Sequence, residues 1–401
     1  MSSDDASPVE GVYFSFVQAN GIRHRLASTV PDLATEEGLS FAKSKGYPLV
    51  LFLHGFPESW YSWRHQLHCL RGFPVLAAAP DMRGYGSTSQ PKSTEDYTQP
   101  VLARDVVEIA RALGYDRFIV IGHDWGAMLA WSVSLLYPHR VIGVFAMSIP
   151  YAGTPKRGML TMLENAHGKC LDPKLPRHIR EKAKFHYMLH HCLSRCEEEY
   201  AKNADEFLYR VYGYRQGSRI QPGTPEYDPN GLMFPPTGDA DFDRIRPLDA
   251  TSAPGWWARI PRPLDLPKWF TWDDLKYITN EFKKSGFLGG ISWYRAADRN
   301  FELLDKLLKP ENGGHGDKVL PPAMFLTGED DPVIRFYGGK EKVRQRLKDN
   351  VLSLIREPIF IPRCGHWIQQ EAAQRVNDAV IDFLEQVTLG EHATRAERSR
   401  L

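Results

Sequence analysis

Three short apolar runs, each cut off by a glycine-bearing polar loop, constrain the fold of this 401-residue chain more than any other feature. Pro48 to Leu53 ends at His54-Gly55-Phe56-Pro57, and Val75 to Pro80 ends at Asp81-Met82-Arg83-Gly84-Tyr85-Gly86. Arg117 to Gly122 runs into His123-Asp124-Trp125-Gly126. Apolar runs of this length without alternation mark strands buried on both faces. Residues 97–113 and 126–137 carry helical periodicity. Strand, helix, strand in repetition predicts the α/β class, a mostly parallel sheet flanked by helices. Residues 11–29 add two strands in front, and 140–147 form a sixth.

After 140–147 the pattern breaks, and the chain passes through His-rich, acidic and Pro-rich stretches until about residue 300. Gln221 to Pro267 holds ten prolines interspersed with Trp and Phe, which predicts an ordered loop packed over the core rather than regular elements. The sheet pattern resumes at Ala323 to Thr327, ending at Gly328-Glu329-Asp330-Asp331. It recurs at Pro358 to Pro362, ahead of Cys364-Gly365-His366-Trp367, and an amphipathic helix is expected over 369–386. The expected organisation is a first core part at 1–150, an inserted subdomain at 151–300 with its Pro-rich loop at 213–267, a second core part at 301–390, and a tail at 391–401.

Lys and Arg total 50 against 49 Asp and Glu, so no net field recruits nucleic acid or an anionic membrane, and a small uncharged ligand is the expected partner. No apolar run reaches the length of a membrane span, and MSSDDASPVE lacks the basic and apolar regions of a secretion signal. A soluble protein made in the cytosol and not secreted is expected. The terminal Ser399-Arg400-Leu401 approximates a peroxisomal address, so the location is expected to be cytoplasmic or peroxisomal. The five scattered cysteines, Cys69, Cys170, Cys192, Cys196 and Cys364, are expected to be free thiols. His190-His191-Cys192 with Cys196 lacks a second ligand pair at zinc spacing, and neither a metal nor a cofactor is expected.

Ligands of parallel α/β sheets gather at the carboxyl ends of the strands, and here those ends carry His54, Asp124, Asp331 and His366. Gly122-His123-Asp124-Trp125-Gly126 has the spacing of a nucleophile elbow, in which glycines permit the strained strand-to-helix turn that exposes the central side chain. An aspartate between glycines also suits a helix N-cap, but its company with three other polar strand ends favours chemistry. A serine alkylated at oxygen would be a stable ether, whereas an alkylated carboxylate is an ester that water can cleave. A carboxylate therefore suits displacement at saturated carbon. The order nucleophile, acid, histidine follows the hydrolase triad, with His366 to deprotonate a water; adjacency leaves Asp330 and Asp331 undistinguished by spacing.

These motifs resemble the epoxide hydrolase family of the α/β-hydrolase fold, specifically the C-terminal hydrolase domain of soluble epoxide hydrolases. The matching segments are His54-Gly-Phe-Pro-Glu-Ser-Trp-Tyr-Ser-Trp-Arg64, Gly122-His-Asp-Trp-Gly126, Glu281 to Phe287 with Ser292-Trp-Tyr-Arg295, and Cys364-Gly-His-Trp367, over about 11–150 and 268–388. The resemblance implies a mainly helical cap after the sixth core strand and hydrolysis of a small apolar epoxide by water through an ester on Asp124. It further implies His366 as base, Asp331 as its orienting acid, an oxyanion hole from the backbone N–H groups of Phe56 and Trp125, and a cis bond between Phe56 and Pro57.

Two cap tyrosines are also implied. Tyr294 in Ser-Trp-Tyr-Arg matches one, and Tyr187 in Lys-Phe-His-Tyr-Met-Leu the other, although the family's following Gln-Glu-Pro-Gly is replaced here by His190-His-Cys-Leu-Ser-Arg. Ring opening leaves an alkoxide, and tyrosine hydroxyls have the proton it needs. The alternatives are a haloalkane or haloacid dehalogenase on the same scaffold, against which Phe56 argues, and a non-catalytic hydrolase-fold binding protein, against which retention of every catalytic position argues.

Overall fold

A computed structural model of the chain describes residues 6–31, 33, 35–154, 156–167, 186–194, 196–214, 256 and 260–398. Most of the Pro-rich stretch, Cys170 and Ser399-Arg400-Leu401 lie outside the described residues. The chain divides into two compact units, one formed by Met1–Ser89, Gln99–Thr154 and Leu304–Leu401, the other by Gln90–Thr98 and Pro155–Leu303.

The first unit is built on an eight-stranded sheet: β1 (Tyr13–Ala19), β2 (Ile22–Ser28), β3 (Leu49–Leu53), β4 (Leu76–Pro80), β5 (Phe118–His123), β6 (Val141–Met147), β7 (Ala323–Gly328) and β8 (Ile359–Ile361). Their spatial order is β1-β2-β4-β3-β5-β6-β7-β8. β1 and β2 form a hairpin closed by Asn20 and Gly21, both at positive φ, the two-residue turn whose twist matches that of the strands. β2 joins β4 antiparallel, and from β4 to β8 every pairing is parallel. Every residue of β3 to β7 is buried, as their unbroken apolar composition requires.

The order β4-β3-β5 creates the crevice. From β3 the chain crosses to β4 on one side and then to β5 on the other, so the loops leaving β3 and β5 part in opposite directions at their carboxyl ends. His54 and Asp124 lie in those two loops.

Helix Trp125–Leu136 packs on β5, β6 and helix Gln99–Ala112. Where one amphipathic helix was expected over 369–386, a short helix Ile368–Glu371 breaks at Ala372 and helix Ala373–Arg398 follows. Phe383 of this last helix meets Phe145 at 5.4 Å, and Gly143 leaves the room for it.

The second unit is mainly helical in its described part. Helix Trp272–Ser285 starts in a reciprocal capping box between Thr271 and Asp274, and packs on helix Ala204–Gly213. Tyr200 stacks on Phe207 at 4.2 Å and Phe282 on Phe287 at 4.6 Å, forming an aromatic core of its own. Among the described residues no helix is long and apolar enough to cross a membrane, and Cys69, Cys192, Cys196 and Cys364 form no disulfide with one another.

Under the N-terminal hairpin, Arg83 grips Asp105 through two 2.7 Å contacts, and His24 lies fully buried 4.0 Å from the same carboxylate. Burial lowers the His24 pKa below 6.5; Asp105 opposes and Arg83 adds to the shift. The unfolded chain therefore takes up a proton as pH falls below about 6.5 that the folded chain resists, and stability should drop over that window. A His24→Phe variant should lose part of this slope, up to about 1.4 kcal/mol per pH unit, in urea midpoints compared at about pH 7 and 5.

Candidate active site

Asp124 sits in the turn between β5 and helix Trp125–Leu136 with φ 53° and ψ −124°, a conformation that non-glycine residues rarely adopt. The flanking glycines make the turn sterically possible. A Cβ on Gly122 would lie 2.1 Å from the Gly126 carbonyl oxygen, and one on Gly126 would lie 2.0 Å from that of Leu53. Although Asp124 precedes the helix, its side chain makes no capping bond. Oδ1 instead accepts from the Phe56 N–H at 3.1 Å, and Oδ2 lies 3.6 Å from His366 Nε2. Phe56 and Pro57 are joined by a cis bond. Trp125 is the first residue of the helix.

On its other side His366 meets Asp331, with Nδ1 3.2 and 3.3 Å from the two carboxylate oxygens and 3.2 Å from Ser148 Oγ. Asp331 is fully buried and also accepts from the Val333 N–H, whereas its neighbour Asp330 is exposed. The structure thus separates two aspartates that spacing could not. His54 is turned away from this group: Nδ1 donates to Gly55 O at 2.9 Å and Nε2 accepts from the Met82 N–H at 3.0 Å. Burial lowers its pKa, as befits a neutral brace between two loops.

Burial raises the Asp124 carboxyl above its ordinary pKa of 3.8, with His366 and His123 pulling the other way. Burial also acts upward on Asp331, but the charge and hydrogen bond of His366 outweigh it and the net shift is down. For His366 burial acts downward and is overcome by Asp331, then by Asp124, which bring it to about 9.

Sequence reasoning passed over the residues that tie these loops together. Glu58, buried beneath the site, accepts from the Gly55 N–H at 3.0 Å, from His123 Nδ1 at 2.7 Å and from Gln369 Nε2 at 2.9 Å. His123 Nε2 in turn faces the His366 carbonyl at 2.7 Å. One carboxylate and one imidazole so connect the β3 loop, the elbow and the histidine loop. Glu58 and His123 both lie within quoted motifs, but nothing in their spacing reveals a partner 65 residues away.

In the second unit Tyr187 begins helix Tyr187–His191 and Tyr294 lies in helix Leu288–Arg295. Their rings are 6.0 Å apart and nearly perpendicular. Arg295 fastens the two helices by donating to the carbonyls of His191 at 3.0 Å and Leu193 at 2.7 Å. Of the divergent His190-His191 pair, His190 Nε2 lies 3.4 Å from Glu199, while His191 Nε2 lies 2.9 Å from the Tyr200 hydroxyl and its ring lies 4.3 Å from that of Tyr294 and 5.4 Å from that of Tyr187. Among the described residues no three His, Cys, Asp or Glu side chains are grouped to hold a metal ion.

Comparison with known proteins identifies the family and the fold. A family profile for the alpha/beta hydrolase fold matches residues 48–206. Epoxide hydrolase A of Mycobacterium tuberculosis is 30% identical over 374 residues, spanning 92% of this chain and 96% of that protein. The chain belongs to the epoxide hydrolase family. Sus scrofa bifunctional epoxide hydrolase 2 is likewise 30% identical, over 86% of this chain and 53% of its own length. The crystal structure of epoxide hydrolase A from Mycobacterium thermoresistibile superposes with a TM-score of 0.72 at 30% identity, covering 93% of this chain and 98% of that one.

Glu58→Gln should test the buried connection. The amide presents N–H donors where the carboxylate accepts from Gly55, His123 and Gln369, and leaving such donors unpaired should cost about 3 kcal/mol. The loss should appear as a lower urea midpoint with an unchanged slope.

Proposed function

We propose that this epoxide hydrolase family member opens an apolar epoxide to a vicinal diol in two steps, with Asp124 as nucleophile. The observation that carries the reading is the division of labour between the Asp124 oxygens: Oδ1 is held by the Phe56 N–H while Oδ2 lies on the His366 side. Oδ2 attacks a ring carbon, the C–O bond of the epoxide breaks, and an alkyl ester forms. Tyr187 and Tyr294 donate to the departing oxygen, as general acids whose rings already lie together.

In the second step His366, oriented by Asp331, takes a proton from a water that attacks the ester carbonyl. Oδ1 becomes the oxyanion, and the Phe56 and Trp125 N–H groups stabilise its charge. Collapse of the tetrahedral intermediate releases the diol with the original Oδ2 and restores the carboxylate with one oxygen from water.

The charges make the steps sequential. With Asp124 ionised, His366 titrates at about 9 and carries a proton at neutral pH. Esterification removes the Asp124 charge, one of the groups that hold His366 up, so its pKa falls and it becomes a base only when a base is needed. Alkylation should weaken as pH drops through the raised Asp124 pKa. Ester hydrolysis should weaken as pH drops through the lowered pKa of His366 in the ester. Because the histidine titrates from the higher value, hydrolysis should weaken first, and in quenched-flow mass spectrometry the ester-bound fraction should rise as pH is lowered from about 8 to 6.

His366→Gln should trap the ester, giving intact protein heavier by the mass of the substrate with the adduct on the Asp124 peptide. A single wild-type turnover in oxygen-18 water should label Asp124 and leave the diol unlabelled; label in the diol would withdraw the covalent mechanism. Tyr294→Phe should slow alkylation, and joining it with Tyr187→Phe should bring the loss to about 10²–10⁴-fold. A double variant at wild-type rate on styrene oxide would remove the tyrosines from the reaction.

A further inference from the structure

Glu371 lies outside the triad, yet its carboxylate takes the backbone N–H on each side of His366. Gly365 N donates to Oε2 at 2.8 Å and Trp367 N to Oε1 at 2.9 Å. The carbonyl of His366 itself is held by His123 Nε2 at 2.7 Å. The peptide that carries the histidine is so fixed at three points, none of which involves the imidazole.

The local sequence explains the grip. Helix Ile368–Glu371 is a single turn whose N-cap, Trp367, provides no side-chain capping bond, and the last residue of the turn reaches back to supply acceptors for the loop. Gly365 leaves space for it, since a Cβ there would lie 3.1 Å from Glu371 Oε1. Desolvation raises the Glu371 carboxyl and the two N–H bonds lower it in part, so a half-buried acid is kept where only the loop engages it directly among the described contacts.

We propose that Glu371 is a positioning residue for His366 in the hydrolysis of the ester, a reading that rests on the roles given above to Asp124 and His366. The contacts of His366 Nδ1 with Asp331 are long and shared between two oxygens, which orients the ring but leaves its backbone to be fixed by other groups. Hydrolysis needs Nε2 aligned on a water at the ester carbonyl, whereas alkylation needs only the carboxylate of Asp124. Misplacing the histidine loop therefore acts mainly on the second step.

Glu371→Gln keeps one acceptor and sets an amide NH2 against the other N–H. Single-turnover kinetics with styrene oxide, read by intact-protein mass, should show ester hydrolysis slowed on the order of 10- to 100-fold, a larger factor than for alkylation, so that ester accumulates during turnover. Glu371→Asp, which keeps the charge but is too short to span both N–H groups, should shift the balance the same way and serves if the Gln variant does not fold. Equal slowing of both steps, or wild-type hydrolysis in a folded variant, would overturn the positioning role. If the wild type forms diol without passing through an ester, the reading of Asp124 falls first and this inference with it; a wild-type ester with no change in the balance between steps sinks this inference alone.

Discussion

The site depends on one close approach, that of the helix Trp125–Leu136 to the end of β3. The Gly126 backbone passes so near the Leu53 carbonyl that no Cβ fits between them, and Gly122 passes as near to Gly126. Only that approach lets Asp124 occupy its positive φ, and only from that conformation does the carboxylate leave the capping position for the Phe56 N–H. Strain of this kind persists when the surrounding structure overdetermines it, and here the central parallel strands supply that rigidity. Gly55 takes part as well, because a Cβ there would lie 2.4 Å from Asp124 Oδ1.

Around this turn the chain concentrates buried charge. Asp124, Asp331 and Glu58 are acids in an apolar setting, and each has a specific set of donors: Phe56 for the first, His366 and Val333 for the second, Gly55, His123 and Gln369 for the third. Removing a carboxylate from water is unfavourable unless such donors replace it. The arrangement gives His366 two acidic neighbours of unequal permanence. Asp331 is held ionised by His366 itself, whereas in the mechanism proposed above the charge of Asp124 is lost on alkylation, which removes one of the groups that raise the His366 pKa.

The second unit solves a different problem. Its tyrosines come from segments more than a hundred residues apart, joined by Arg295 through the carbonyls of His191 and Leu193 and the Glu197 carboxylate, and by the His191 ring, which packs on both. The carbonyl contacts tolerate a change of sequence and His191 packs against both rings, so His190 and His191 stand where the family has Gln-Glu-Pro-Gly without separating Tyr187 from Tyr294.

The sheet was legible in the sequence because strands buried on both faces must be continuously apolar, and their abrupt ends name the loops that matter. The elbow was legible because two glycines flank one acid. What the pattern left open was decided by folding. Asp330 and Asp331 are equivalent in spacing, and only burial against His366 tells them apart. Glu58, His123, Ser148 and Glu371 carry no periodic signal, since their partners are brought to them by the return of β7 and β8 to the sheet. The expected helix over 369–386 is broken at Ala372, which puts Glu371 at a corner where it can reach back to the histidine loop. Sequence by itself determined which groups could react, because chemistry belongs to residue types. Tertiary structure alone decided which groups hold them in place, because hydrogen-bond partners distant along the chain are chosen by topology and not by local preference.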